Sequence, residues 1–268
     1  MSILLCPNCG KPLVHVPEHR AYWCENGHSF DCAKEGYVNL VVGSKSGENR
    51  GDSKASARAR HDFLDQGYYG CLKTAMAERL HGTVLDICCG EGYYDVPAPD
   101  TVDELLGFDL SKEMVRLAAK RGRAATAGGA SPYTFFVGNL ASIPVADASV
   151  DVAMHLFAPF HEKEFSRVLK KDGVLYSVIP GEDHLFELKE VVYDTPYKND
   201  EQAPETEALK LVSRTKVSET VHVPKEDLQT LFSMTPYYYR TSPEDRGKLD
   251  SVDGLDLTVA FVILEYRL

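Results

Sequence analysis

Four side chains of metal-ligand type are concentrated at the start of the sequence, as Cys6-Pro-Asn-Cys9 followed by Cys24-Glu-Asn-Gly-His28. Two thiolates three positions apart can point inward across a tight turn, and the second pair can supply the other half of a tetrahedron. Zn²⁺ takes such ligands, and a closed shell of four indicates a structural site. A segment this short buries too little apolar surface to fold alone, so metal binding would supply its stability. The pattern therefore predicts a zinc finger.

Three other side chains are rivals for the fourth ligand position: Cys32, His15 and His19. Cys32 is too far from Cys24 to form a compact second knuckle, and the two histidines lie in the excursion between the pairs. We therefore expect His28 to complete the shell. The alternative without a metal is a set of reduced cysteines scattered in a loop.

From residue 83 onward, short apolar segments alternate with segments of helical character. Strands are predicted at 83–88, 105–110, 133–137, 150–156, 173–179 and 257–266, and helices at 111–120, 162–170 and 225–232. Alternation at this spacing predicts parallel β-α-β units, and therefore an α/β fold with a doubly wound sheet. We expect three parts: a zinc module at 1–42, a basic linker and cofactor-side segment at 43–70, and the doubly wound domain at 71–268.

The first predicted strand runs through Asp86 into the loop Gly90-Glu91-Gly92, and Asp109 ends the next strand. Glycines let a ligand approach the backbone at the carboxyl edge of the sheet, and a carboxylate at the next strand end can accept both hydroxyls of a ribose. The third glycine of the dinucleotide pattern is missing. The loop instead resembles the S-adenosylmethionine loop of class I methyltransferases. Gly138-Asn139-Leu140 resembles their adenine-binding segment, and Lys171-Asp172-Gly173 resembles their turn into the fifth strand.

Further motifs accompany the proposed metal ligands, at 34–40, 51–53, 60–69, 90–94, 157–159, 180–189 and 234–236. With them, nearly the whole chain resembles the large-subunit (23S) ribosomal RNA guanine-N1 methyltransferases, the RlmA and tylosin-resistance type. That family includes enzymes associated with resistance to tylosin and mycinamycin. The resemblance implies S-adenosylmethionine-dependent methylation of a guanine N1 in a ribosomal RNA hairpin loop, with the finger as the RNA-recognition module. It also implies that Tyr69, the Gly90–Gly92 loop and His184 border the cofactor.

The chain departs from this superfamily after the glycine loop. Pro97 and Pro99 follow where a full helix is usual, and proline is excluded from helix interiors, so we expect that helix to be short or absent. The sequence also identifies no general base for removing the proton from guanine N1. His184 and Asp151 are conceivable acceptors, but His184 is as well suited to holding the cofactor.

A formal charge of −11 argues against bulk attachment to nucleic acid, yet two basic stretches stand out, at 43–60 and 111–123. The second also suits a solvated helix face. No apolar run is long enough to span a bilayer, and the cysteines suit a reducing compartment, so we expect a cytoplasmic protein without a membrane partner. A homodimer is one further partner to consider.

Two rival functions stay open. One is a small-molecule methyltransferase that carries a structural zinc finger, and the other is a zinc-dependent nucleic-acid-binding regulator that senses the cofactor without chemistry. Methyl transfer to ribosomal hairpin fragments would separate all three hypotheses.

Overall fold

A computed structural model describes residues 2–43, 54–126, 131–235 and 237–268, with side chains in the second range from residue 57 onward. Its strands are β1 Val14–Val16, β2 Ala21–Trp23, β3 Ser29–Asp31, β4 Val38–Asn39, β5 Gly82–Ile87, β6 Val102–Asp109, β7 Tyr133–Val137, β8 Val150–Leu156, β9 Leu169–Pro180, β10 Lys210–Pro224 and β11 Gly254–Arg267. Its α-helices are α1 Lys54–Asp65, α2 Gly70–Ala77, α3 Lys112–Ala125, α4 Glu162–Val168, α5 Phe186–Val192, α6 Lys225–Ser233 and α7 Pro243–Gly247.

One eight-stranded sheet dominates the molecule, in the order β10-β11-β9-β8-β5-β6-β7-β4. The strands β5 to β9 pair in parallel, and β10 and β11 form an antiparallel hairpin that pairs with β9. Parallel strands place their carboxyl ends at one edge of the sheet, where doubly wound folds bind ligands. The predicted α/β class is therefore confirmed, with an antiparallel addition at one end.

The amino-terminal module is a small three-stranded antiparallel sheet, in the order β1-β2-β3. It is joined to the large sheet at two points. Val38 and Asn39 of β4 pair in parallel with β7, and Leu4 forms a bridge with Val145. The module thus continues the main sheet rather than standing apart from it.

Local signals explain how the elements around the carboxyl edge begin and end. Ser111 caps α3, its hydroxyl accepting a hydrogen bond from the Met114 N–H at 3.4 Å. Within the described residues no helix lies between β5 and β6, which confirms the expectation drawn from Pro97 and Pro99. Residues 44–53 of the expected linker segment lie outside the described part of the chain, and the segment continues as helix from α1. In the described part, no helix has the length and apolar character needed to span a bilayer.

Candidate functional site

The four proposed metal ligands converge at one point of the amino-terminal module. Their sulfur and nitrogen atoms all lie within 4.8 Å of one another. The Cys9 and Cys24 sulfurs are 3.7 Å apart, and His28 Nδ1 lies 3.3 Å from the Cys24 sulfur and 3.5 Å from the Cys6 sulfur. Bonds of about 2.3 Å to sulfur and about 2.0 Å to nitrogen in a tetrahedron require edges of about 3.8 Å and 3.5 Å. The side chains present therefore fit one Zn²⁺.

The turns that carry these ligands explain how they converge. The N–H groups of Cys9 and Gly10 both donate to the Cys6 carbonyl, and Gly10 has a φ of 70°, a conformation that glycine adopts without strain. The three rival residues are not part of the group within the described residues. His15 packs on Tyr22 and His19 stacks on Trp23, so both imidazoles have aromatic neighbours instead.

A cavity of about 830 Å³ opens at the carboxyl edge of the main sheet. That volume lies in the usual range for pockets that bind small molecules and cofactors. Six predicted cofactor residues line it: Tyr69, Asp86, Gly90, Glu91, Asp109 and His184. The sequence-predicted residues thus come together from four different parts of the fold.

Asp109, at the end of β6, is the centre of the predicted ribose site. One of its carboxylate oxygens accepts the Gly90 N–H at 3.2 Å, and the other accepts the Ser111 N–H at 2.7 Å. These bonds fix the carboxylate between the glycine loop and the start of α3. A carboxylate held at the end of this strand can accept hydrogen bonds from ligand hydroxyls, so the arrangement suits a ribose diol.

Three predicted cofactor residues do not line the cavity: Gly92, Asn139 and Leu140. Gly92 instead allows the loop to approach α3 closely, because a Cβ at this position would lie 3.1 Å from the Ala118 Cβ. The Asn139 side chain accepts the Ala141 N–H at 3.0 Å and so shapes the turn after β7. Their contacts with a cofactor stay predictions.

Glu91 is held from outside the cavity by a charged cluster that was not expected from the sequence. Its buried carboxylate accepts a hydrogen bond from Arg121 of α3 and lies 2.6 Å from His61 Nδ1. Arg121 also donates a hydrogen bond to Asp65 at 2.7 Å. Burial raises the pKa of Glu91 and the Arg121 guanidinium opposes that rise. His61, Asp65 and Glu91 could in principle ligate a metal, but Arg121 already bridges two of the three. The cluster therefore ties α1 and α3 to the glycine loop.

A second carboxylate, Asp95, was also missed from the sequence and lies fully buried near Asp86. Burial raises the pKa of Asp95 to about 7. Burial and the charge of Asp95 raise the pKa of Asp86 as well. Among the described residues, no N–H group or cation hydrogen-bonds to either oxygen of Asp95. Ionising both of these buried, neighbouring carboxyls costs free energy through desolvation and charge repulsion, so the pair retains a proton near neutral pH.

His184 is in a protonation state that does not suit a general base. Burial lowers its pKa to about 3, so the ring is neutral. Its Nδ1 accepts the Ala260 N–H at 3.2 Å, so Nε2 carries the proton and points to the Tyr69 hydroxyl at 3.3 Å. The ring therefore has no free lone pair facing the cavity.

Asp151 is also unsuited to that role, because it lies at the opposite end of the strands. It accepts the Thr83 N–H at 2.9 Å and pairs with Lys170 at 2.8 Å, both near the amino ends of β5 and β8. Neither side chain weighed from the sequence is thus positioned to accept the proton of guanine N1.

Comparison with known families agrees with both parts of this architecture. A family described as "RlmA, N-terminal" matches residues 4–46, and a family described as "Methyltransferase domain" matches residues 84–173. The first match contains all four proposed metal ligands. The second begins in β5 and contains the glycine loop and Asp109.

Three curated relatives cover almost the whole chain. A 23S rRNA (guanine(748)-N(1))-methyltransferase of Streptomyces fradiae is 28% identical over 97% of this chain and 95% of its own length. Relatives named for 23S rRNA (guanine-N(1)-)-methylation occur in Micromonospora griseorubida, 31% identical over 90% of this chain and 88% of its own, and in Bacillus subtilis, 28% identical over 98% and 96%. By this identity and coverage the chain belongs to the 23S rRNA (guanine-N1)-methyltransferase family.

Proposed function

We propose that this protein transfers a methyl group from S-adenosylmethionine to N1 of a guanine in a hairpin loop of large-subunit ribosomal RNA. The observation that carries the proposal is the cavity in which Asp109 and the Gly90 N–H meet at the carboxyl edge of the sheet, in a chain of this family. The cofactor, when bound, supplies an electrophilic methyl group. The bond between guanine N1 and the methyl carbon forms as the bond between that carbon and sulfur breaks, and the N1 proton passes to a proton acceptor.

We assign the inner part of the cavity to the cofactor. Asp109 would accept the ribose hydroxyls. Gly90, whose φ of 56° favours glycine, has no side chain and so lets the ligand approach the backbone. Tyr69, held by His184 and packed at 5.0 Å on Phe261, would close the opposite wall. Alignment of methyl group and acceptor then provides most of the acceleration.

A basic cleft between the two parts of the protein supports RNA as the substrate. Lys34 follows the zinc-binding strands, and Lys120 and Arg123 belong to α3; together with Glu35 and Ala124 they line a recess of about 560 Å³. Arg123 donates to the Lys34 carbonyl at 3.4 Å, which joins the two sides. None of the three cations forms an ion pair with a residue that the structure describes. In an acidic protein, such a cluster suits the phosphates of a nucleic acid.

We retain the division into a zinc module at 1–42, a linker segment at 43–70 and a methyltransferase domain at 71–268 as our proposal. Two cations of the basic stretch at 43–60 have neighbours within the protein, because Arg58 pairs with Asp62 in α1 and Arg60 lines the cavity. Arg50 lies outside the described residues. A cytoplasmic location and a homodimer stay predictions, and light scattering of the purified protein would decide the second.

Methyl transfer to transcribed fragments of 23S ribosomal RNA hairpins, followed by analysis of the product nucleosides, tests the proposed function. We expect 1-methylguanosine as the product. Methylation of a metabolite without RNA would favour the small-molecule methyltransferase. RNA binding and cofactor binding without any methylated nucleoside would favour the regulator.

A further inference from the structure

Phe157, directly after β8, combines two features that are unusual for a phenylalanine. Its side chain is 45% exposed although it lines the cavity, and its φ is 56°, in the left-handed region that a bulky residue avoids. Backbone strain of this kind persists only where the surrounding structure enforces it, and it concentrates at ligand sites. The conformation therefore indicates that the exposed ring contacts a ligand.

The surrounding residues hold Phe157 firmly in place. Its N–H donates to the Val178 carbonyl of β9 at 3.2 Å. The buried His155 bridges the loop, since its Nε2 lies 3.1 Å from the Pro159 carbonyl and its Nδ1 3.1 Å from the Ser177 hydroxyl. The backbone that carries the exposed ring is thus held in place at the cavity.

A second exposed aromatic ring, Tyr197, lines the same cavity and is 53% exposed. The ammonium of the buried Lys189 lies 4.5 Å from the centre of its ring and donates to its carbonyl at 3.0 Å. Lys189 also donates to Asn199 at 2.7 Å, and Asn199 in turn donates to the Gly181 and His184 carbonyls. These bonds fix the backbone of the segment that carries Tyr197.

The position of Phe157 in the sheet separates it from the ribose site. Asp109 ends β6, on one side of β5, whereas Phe157 follows β8, on the other side. A cofactor whose ribose is at Asp109 and whose chain crosses the end of β5 would present its far end near β8. The aromatic mouth is therefore on the side where an acceptor would have to enter.

We propose that Phe157 and Tyr197 form a stacking subsite for the unpaired target purine. This inference rests on the proposed function, because it takes the acceptor to be a guanine removed from its stack. Such a base loses its neighbours and needs a flat apolar surface in their place, which exposed aromatic rings supply. Pairing, by contrast, would leave N1 of guanine blocked.

A purely structural role for Phe157 makes a different prediction. Its ring lies 5.7 Å from that of Phe261, so it could serve only as packing for the core. Leucine would keep that apolar contact but lacks an aromatic face, whereas tyrosine keeps the face. Both residues would meet the same backbone strain, so Phe157→Leu and Phe157→Tyr are a matched pair.

The test measures steady-state methylation of a 23S hairpin fragment by both variants and by Phe157→Gly. For Phe157→Leu we expect kcat/KM for RNA to fall roughly 5- to 150-fold, the range for loss of one stacked base. Phe157→Tyr should stay within about twofold of the wild type. Phe157→Gly should lose activity like Phe157→Leu without a lower melting temperature, because glycine relieves the positive φ. If Phe157→Leu does not fold, the glycine variant carries the comparison.

Three controls make each result decisive. Tyr239→Leu removes an aromatic side chain that is 82% exposed but does not line the cavity, and it should leave kcat/KM unchanged. Calorimetry should give equal S-adenosylmethionine affinity for the wild type and Phe157→Leu; a matching loss of cofactor affinity would instead make Phe157 a cofactor contact and overturn the inference. Equal activity of the leucine and tyrosine variants would overturn it too. A wild type that does not methylate the hairpin refutes the proposed function itself.

Discussion

Replacing Asp95 by asparagine should change how the stability of the protein depends on pH. In the wild type, burial raises the pKa of Asp95 from its ordinary value of 3.8 to about 7. Between these two values the folded state holds a proton that the unfolded chain has released. The free energy of unfolding should therefore fall as pH rises, by about 1.4 kcal/mol per unit and by roughly 4 kcal/mol in total.

The asparagine side chain of the Asp95→Asn variant carries no titratable proton. Its amide N–H can donate to the neighbouring Asp86 and favour that carboxylate in its ionised form. The variant should therefore lose the part of the decline that Asp95 contributes, whereas burial of Asp86 acts in both proteins. The difference in unfolding free energy between Asp95→Asn and wild type should thus increase in favour of the variant by about 2 kcal/mol from pH 5 to pH 7, and level off above pH 7.

Urea unfolding followed by circular dichroism at pH 5, 6, 7 and 8, with zinc present throughout, measures this difference. Metal binding also depends on pH, but it contributes equally to both proteins and cancels. Asp172→Asn, at an exposed surface position, is the matched control and should follow the wild type at every pH. A difference that does not vary with pH for Asp95→Asn would refute the assignment of a shared proton to Asp86 and Asp95.

Three further predictions concern the cofactor, the metal and the RNA. Asp109→Ala removes the two acceptors of the ribose site and should weaken S-adenosylmethionine binding by about 1–3 kcal/mol by calorimetry; unchanged affinity in a folded variant would contradict the assignment. Cys9→Ser should lower the zinc content, loosen the chain up to about Leu40 and reduce RNA methylation while cofactor affinity stays largely intact. Metal analysis and the two assays check this, and normal methylation by the variant would refute it. Neutralising the three cations of the basic cleft should weaken hairpin binding and reduce the slope of log affinity against log salt by about 2, whereas an equal change at remote exposed cations should not. The test variant replaces Lys34, Lys120 and Arg123 by glutamine. The control variant replaces Lys163, Lys171 and Arg214 by glutamine.

The sequence predicted those parts of the fold whose signal is local. The apolar runs of β5 and β8 were readable because strands buried on both faces exclude polar residues. The missing helix before β6 followed from Pro97 and Pro99 alone. By contrast, β10 was missed, since most of its side chains are exposed and show no apolar period.

The site was predictable where a motif carries it and unpredictable where distant residues meet. Asp109 and Gly90 were found because each stands at the carboxyl end of a predicted apolar strand, at the edge where doubly wound folds bind ligands. Asp95 lies in an irregular loop, where no periodicity indicates which side chains point inward. The tautomer of His184 depends on an N–H of Ala260, far along the chain, so only the folded structure reveals it.

Because the zinc module carries β4, which pairs with β7, metal binding should protect the edge of the main sheet from aggregation. The N–H and C=O groups at the outer side of β7 are covered by Val38 and Asn39, and Leu40 adds an N–H bond to the Val137 carbonyl at 3.0 Å. Without zinc the module that holds β4 in place would loosen, and the side of β7 would become an open edge. An open, apolar edge strand pairs readily with other chains. Chelation should therefore make this protein self-associate before its central sheet unfolds.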